Sequence, residues 1–391
     1  MTYNFNEITQ RDNTNSLKYD FASRCGKPEG LLPLWVADMD FKTPESVVEA
    51  LVEKSRHGIF GYSESGQDYF FVLKDWFKTN FDWNIQPDWL VKTPGVVFAI
   101  ATAIRGLTDK GDGVIIQQPV YYPFAEIIRR NDRNLVVNQL VYKNGKYTID
   151  FDDFENKIIE NKVKLFVLCN PHNPVGRVWT QEELIRLGDI CLKNGVTVIS
   201  DEIHQDFIYP GHKHLVFADL KPDFLTMTIT CTAPSKTFNL AGLQISNIFI
   251  QDRKIRHQFI DEMNKCGYDQ LNIMGIVACA AAYSKGREWL KELKTYLVGN
   301  LELVRSFLNE QLPQVKLIEP EGTYLIWLDF NELGLNDKEL EELIIHKAGL
   351  WLDEGSMFGA GGEGFQRINI AAPRVILEQA LTQLEQAVNN R

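Results

Sequence analysis

A chain of 391 residues, 45% hydrophobic and 24% charged, has an ordinary globular composition and room for one large domain with a smaller partner, which excludes fibrous and disordered classes. Its 41 basic against 52 acidic residues leave a net charge of -11, which argues against nucleic-acid or anionic-membrane surfaces and for small-molecule partners. No stretch approaches the roughly 18 apolar residues of a membrane span, the first residues carry neither the basic start nor the apolar core of a signal peptide, and the expected location is the cytoplasm.

Short β-branched runs at 114–117, 163–169, 196–200 and 224–231 alternate with helical patterns, the sequence form of a mostly parallel sheet covered on both faces. Between the second and third runs, Thr180 and Glu183 read as a capping box. The helix they open runs through Leu184, Leu187, Ile190 and Cys191 and stops at Gly195, so this stretch is a βαβ unit. Ligands of open α/β sheets lie beyond the carboxyl ends of the strands. The segments 170–176, 201–204 and 233–236 all fall there. From 287 to 311, Trp289, Leu290, Leu293, Tyr296, Leu297, Leu301, Val304, Phe307 and Leu308 recur at helical spacing until Pro313. A strand at 322–330, a helix at 337–347 and a strand at 367–371 come next, enough for a small α+β domain. The expected division is a large domain over 45–285 and a small one from 1–44 and 286–391, including the interdomain helix.

Lys236, Asp201 and Asn173 each stand just past an apolar run. An amine that can hold an aldehyde, a carboxylate that can keep a pyridine nitrogen protonated, and a neutral donor for a phenolic oxygen suggest a pyridoxal phosphate (PLP) site. Three roles call for three different side chains.

The strings Asn170-Pro-His-Asn-Pro-Val-Gly-Arg, Ser200-Asp-Glu-Ile-His, Ser235-Lys-Thr-Phe-Asn-Leu-Ala-Gly-Leu and Arg367-Ile-Asn-Ile, in that order, resemble the fold-type I PLP enzymes of the aminotransferase class I/II superfamily. Leu32-Pro-Leu-Trp-Val-Ala-Asp-Met-Asp-Phe and Pro171-His-Asn-Pro-Val-Gly-Arg-Val-Trp-Thr are similar to its cystathionine β-lyase branch of MalY/PatB type. The resemblance implies a large PLP-binding domain with a mostly parallel mixed sheet, a small α+β domain, and cleavage of C–S bonds at the β-carbon of amino acids.

It further implies that Lys236 carries the cofactor, Asp201 meets the pyridine nitrogen and Asn173 the phenolic oxygen, while Tyr121 stacks on the ring, with Tyr122 as an adjacent candidate. Gly95, Val96 and Val97 would form a phosphate cup, assisted by Ser235. Arg367 would clamp the substrate α-carboxylate, with Ala37 and Asn173 also on the substrate side. Tyr62 would reach the phosphate of a neighbouring subunit, which implies a homodimer. Two positions depart from the aminotransferase pattern: His204 stands where many members have tyrosine, and Gln244 where many have a phosphate-binding arginine.

A transaminase shares every step as far as the carbanion, and a non-catalytic regulatory protein on the same fold is the rival from another class. Gly359, Gly361 and Gly364 match G-x-G-x-x-G but precede a strand pattern, so a loop is expected rather than a dinucleotide site. His212 and His214 stand without further clustered ligands, and the six cysteines show no C-x-x-C pair, so no metal site is expected and the thiols are expected to be reduced.

Overall fold

The computed structural model describes residues 3–391. A seven-stranded sheet forms its centre: β1 (Leu90–Thr93), β2 (Gly113–Gln118), β3 (Asn134–Gln139), β4 (Val163–Cys169), β5 (Thr197–Asp201), β6 (Thr228–Thr232) and β7 (Ser246–Ile250). Their spatial order is β1-β7-β6-β5-β4-β2-β3. Only β7 runs against its neighbours; the remaining pairings are parallel.

Strands buried on both faces read as continuous apolar runs, and their successive residues feed two different cores. Val114, Ile116, Leu165 and Val167 pack against helices Val96–Leu107 and Arg253–Lys265. Ile115, Phe166 and Leu168 pack against Phe151–Glu160 and Gln181–Lys193. The last of these helices has the expected capping box, with the Thr180 side chain accepting from the Glu183 amide and the Glu183 carboxylate from the Thr180 amide.

Where the observed elements depart from the sequence reading, the causes are local. The run at 224–231 is not one strand: Pro222 sits in the first turn of a short helix, Pro222–Leu225, and Phe224 stacks on Phe217 with ring centroids 5.0 Å apart. The β-branched residues of β6 begin at Thr228. The strand expected at 322–330 is Leu325–Asp329, since Thr323 adopts a left-handed φ of 69° that interrupts extended backbone. The helix at 337–347 is α-helical only over Asp337–Glu341 and widens to a π-helix over Glu342–Lys347.

The second sheet has four antiparallel strands: β8 (Lys316–Ile318), β9 (Leu325–Asp329), β10 (Asp353–Glu354) and β11 (Phe365–Asn369), ordered β8-β9-β11-β10. Helix Arg287–Gln311 leads into it from helix Ile273–Lys285 through Gly286, where a Cβ would collide with the ring of Phe238. The N-terminal segment is stitched to this part of the molecule, since Leu32–Pro33 pairs with Leu350–Trp351 and the Asn369 amide donates to the Leu34 carbonyl at 2.9 Å. Among the described residues, no helix is long and apolar enough to cross a membrane. All six cysteines are free thiols, four of them buried.

Candidate active site

Because β4, β5 and β6 run parallel and in register, the loops at their carboxyl ends open at one edge of the sheet. Asp201 ends β5, the Asn170–Pro171 loop continues from β4, and Lys236 lies in the short helix Pro234–Thr237 after β6. They meet in a cavity of about 190 Å³ whose lining includes Gly95, Val96, Val97, Tyr121, Asn173, Asp201, His204, Ser235, Lys236 and Ala37. The residues expected at the cofactor or the substrate all line it except Arg367 and Tyr62. Pro94, Cys169, Ile203, Ala241 and Ile245 complete the wall. As apolar neighbours of the motif residues, they carried no chemical signal of their own.

The cavity's ionisable groups are poorly partnered. Burial lowers the Lys236 amine to about 8, with Asp38 opposing, Arg367 assisting and Asp201 opposing that shift. Asp201 receives one hydrogen bond, from the Ile203 amide at 3.2 Å. Burial pushes its carboxyl up to about 7, the Ile203 amide resists this, and the neighbouring Glu202 charge adds to it. A carboxyl in this position is held fully ionised at neutral pH by a cation set against it. His204 is buried with Nδ1 unpartnered, and burial, reinforced by the Lys236 and Arg367 charges, lowers it to about 3, so the imidazole is neutral.

Helix Val96–Leu107 begins at Gly95 with no side-chain cap. Its first backbone bond is from the Ala99 amide to the Gly95 carbonyl, 3.1 Å, which leaves the first-turn amides free of intrahelical partners. A Cβ on Gly95 would meet no protein atom, so the approach to those amides is open. A helix start of this kind favours an anion. Ser235 adds a hydroxyl to the same cavity.

Tyr121 and Asn173 are tied through backbone, the Tyr121 amide donating to the Asn173 carbonyl at 3.0 Å. Burial holds the Tyr121 phenol protonated by raising it above its ordinary range. Its ring makes an edge contact with Phe124 at 5.7 Å and a tilted one with Tyr122 at 5.5 Å. Arg367, in β11, donates from Nη1 to Asn173 Oδ1 at 3.0 Å, which puts the guanidinium beside the cavity although it does not line it. Gln244 takes a left-handed φ of 50° after the turn Ala241–Leu243 and does not line the cavity, whereas Ala241 and Ile245 do. Tyr62 stands away from it, with 95% of its surface exposed.

Several positioning residues were not singled out from the sequence. Arg177 pins the Asn173 loop by donating to Glu321 at 2.8 Å and to both oxygens of Glu183 at 3.0 and 2.9 Å. Asn239 holds the N-terminal segment against the Lys236 loop, accepting from the Met39 amide at 2.9 Å and donating to the Met39 and Phe41 carbonyls at 3.0 Å each. Asn369 donates to the Val36 and Asp38 carbonyls at 2.8 and 2.9 Å, and the Tyr324 hydroxyl to that of Ala37 at 2.7 Å. These bonds fix Ala37 at the cavity. His214 spends Nε2 on buried Glu202 at 2.8 Å, and Gly359, Gly361 and Gly364 all have positive φ in the loop before β11. Asp353, whose carboxylate meets Arg367, had no motif to announce it.

The sequence model of the aminotransferase class I and II family matches residues 29–384. The chain belongs to this family. Within it, the chain is 44% identical over 386 residues to cystathionine beta-lyase PatB of Bacillus subtilis (strain 168), covering 99% of this chain and 100% of PatB. It superposes on cystalysin from Treponema denticola, a structure containing pyridoxal 5'-phosphate, with a TM-score of 0.96 and 40% identity over 100% of both chains. A PLP-bound C-S lyase from Staphylococcus hominis, complexed with the inhibitor L-cycloserine, matches with a TM-score of 0.93 and 36% identity, again over 100% of both. The fold is therefore the aminotransferase-like fold-type I architecture. The donor set fits the cofactor of those family structures: a buried amine of lowered basicity, a carboxylate in need of a cation, and an uncapped helix start for a phosphate.

Proposed function

We infer that the protein is a PLP-dependent carbon–sulfur lyase that eliminates the thiol from L-cystathionine and related L-cysteine S-conjugates. The products are a thiol (homocysteine or sulfide), pyruvate and ammonia, one water being consumed as the released enamine becomes keto acid. One observation carries the reading: Lys236 and Asp201 line a single cavity in a chain 44% identical, over its full length, to a cystathionine β-lyase.

Bound PLP supplies an electron sink for negative charge developing at the substrate Cα. Lys236 is the residue that would hold the cofactor aldehyde, and as a free amine it would take the Cα proton; an amine lowered to about 8 has a free-base fraction near neutral pH. Asp201 would keep the ring nitrogen protonated, and that cation would in turn hold Asp201 ionised despite its burial. Asn173 would donate to the phenolic oxygen and Tyr121 would pack on the ring, with neutral His204 lining the same cavity. The first-turn amides at Val96 and Val97, with Ser235, would hold the phosphate. Arg367 and the segment at Ala37 orient the substrate carboxylate.

Tyr62 reads as a contribution to a second copy of the chain. Its exposure of 95%, with Ile59 at 67% and Phe60 at 59%, supports a face covered in a homodimer. We read the activity as one of cysteine and methionine metabolism, carried out in the cytoplasm. The aminotransferase reading parts from this one only in where the next proton goes. Pyruvate release from L-cystathionine with no keto acid added is the expected result, and amino transfer that depends on added keto acid would overturn it.

A further inference from the structure

Arg367, beside the cavity, has partners on both of its terminal nitrogens. Nη2 donates to Asp353 Oδ2 and to the Trp35 carbonyl at 3.0 Å, and Nη1 donates to Asn173 Oδ1. Nε has no partner. A guanidinium has five N–H groups, and a two-pronged grip on a carboxylate uses either the Nη1/Nη2 edge or the Nε/Nη2 edge. Both edges need a hydrogen of Nη2. Both of those hydrogens are taken, so no carboxylate can be gripped by two prongs until one acceptor lets go.

The two acceptors differ in freedom. The Trp35 carbonyl belongs to backbone anchored on both sides, with the Leu34 amide bonded to Trp351 at 2.9 Å and the Trp35 ring stacked on Trp351 at 4.4 Å and 8°. Asp353 is a side chain that can turn. It is 3% exposed, and burial raises its carboxyl above the ordinary range against the Arg367 charge. The other ionisable groups acting on it are Glu354, Lys27, and the phenols of Tyr121 and Tyr122. Lys27 is itself committed to Glu341 and Glu354 at 2.8 and 2.7 Å.

We propose that Asp353 is a resident counter-ion occupying the carboxylate seat of Arg367, and that the substrate α-carboxylate binds by exchange with it, Asp353 taking up a proton as it is displaced. The proposal rests on the reading of Arg367 as the carboxylate clamp. Two buried carboxylates cannot share one guanidinium as two full charges without repulsion. Proton uptake resolves the conflict, and it makes substrate affinity fall as pH rises.

The test is calorimetric titration of the holoenzyme with propionate, which has a carboxylate but no amine, across the neutral pH range in buffers of different ionisation enthalpy. Wild type is expected to take up a proton on binding and to lose affinity by up to about tenfold per pH unit. Asp353→Asn, which keeps an acceptor for Nη2 but no charge, is expected to bind about tenfold more tightly at the alkaline end and to lose both the uptake and the slope. An Asn variant with unchanged uptake and slope, or weaker binding, overturns the exchange; so does a wild type that takes up no proton, a result that stands even where the variant does not fold. Arg367→Lys separates the two readings. If it leaves propionate affinity unchanged, the clamp itself fails; if it weakens affinity while Asp353→Asn alters nothing, only the exchange fails.

Discussion

The large-domain and small-domain sides of the cavity treat their charged groups in opposite ways. On the large-domain side, Asp201 has one backbone donor, His204 Nδ1 none, and the helix starting at Val96 no cap. On the small-domain side, Arg367 is held by Asp353, Asn173 and the Trp35 carbonyl at once. Unpaired buried groups cost free energy until a ligand satisfies them, so the first side is arranged for a permanently bound cofactor. A neutralised arginine costs little while it waits, which suits a substrate that comes and goes. The two halves therefore respond to different probes, stability without cofactor on one side and ligand exchange on the other.

Lys236→Ala presses hardest on this contrast. Pyruvate release is expected to fall by about 10²–10⁴-fold, and borohydride should no longer fix a chromophore to the chain. The cofactor-free variant should melt no lower than cofactor-free wild type, because the substitution removes an amine whose charged form burial disfavours. A large loss of stability would mean that Lys236 serves the fold instead.

Asp201→Asn comes next. The folded carboxyl, raised from 3.8 to about 7, contributes stability that is complete below the unfolded value and lost as pH rises through the folded one. Cofactor-free wild type should therefore lose melting temperature over that window, with a total effect on the order of 4 kcal/mol. The Asn variant should lose that part of the pH dependence, leaving the parts due to Asp353 and Asp206, whose carboxyls burial also raises. Saturating PLP should remove the same part from the wild-type curve by placing a cation on Asp201. A wild-type curve with the same slope as the Asn variant would show that Asp201 is not waiting for a partner.

Much of the large-domain half was legible because strands enclosed on both faces announce themselves, and the residues at or just past their carboxyl ends point to the cavity: Asn173 after β4, Asp201 at the end of β5, Lys236 after β6. The edge strands β1 and β3 alternate buried and open residues over four and six positions and gave no continuous run to read. β7, whose Ser246 and Asn247 are buried and polar, was hidden for the same reason. The small-domain half was harder, since its logic lies in pairs made only by folding. Arg177 meets Glu321 across 144 positions and Arg367 meets Asn173 across 194. Asp353 lies in a two-residue strand, too short for any periodicity.

Tyr62→Phe asks whether the large-domain half is complete in one chain. Losing one hydrogen bond to a phosphate should weaken PLP binding by roughly tenfold to hundredfold, measured by equilibrium dialysis, while sedimentation should give a two-chain particle for both proteins. Unchanged PLP affinity would leave the phosphate entirely to the Gly95 helix start and Ser235.

The smallest effect is expected at Thr180→Ala, a residue that does not line the cavity. The Thr180 hydroxyl accepts from the Glu183 amide at 3.2 Å, and Glu183 closes the box on the Thr180 amide at 2.8 Å. Removing such a cap costs about 1 kcal/mol, seen as a lower urea midpoint with an unchanged m-value. Glu183 also grips Arg177, which anchors the loop bearing Asn173, so the cap lies one ion pair away from the site. Arg177 keeps Glu321 and the Tyr147 carbonyl as independent anchors, and for that reason kcat and KM should stay at wild-type values while stability falls. If kcat falls as well, the Asn173 loop is held chiefly through the helix after it, and the placement of Asn173 at the cavity rests on a single turn.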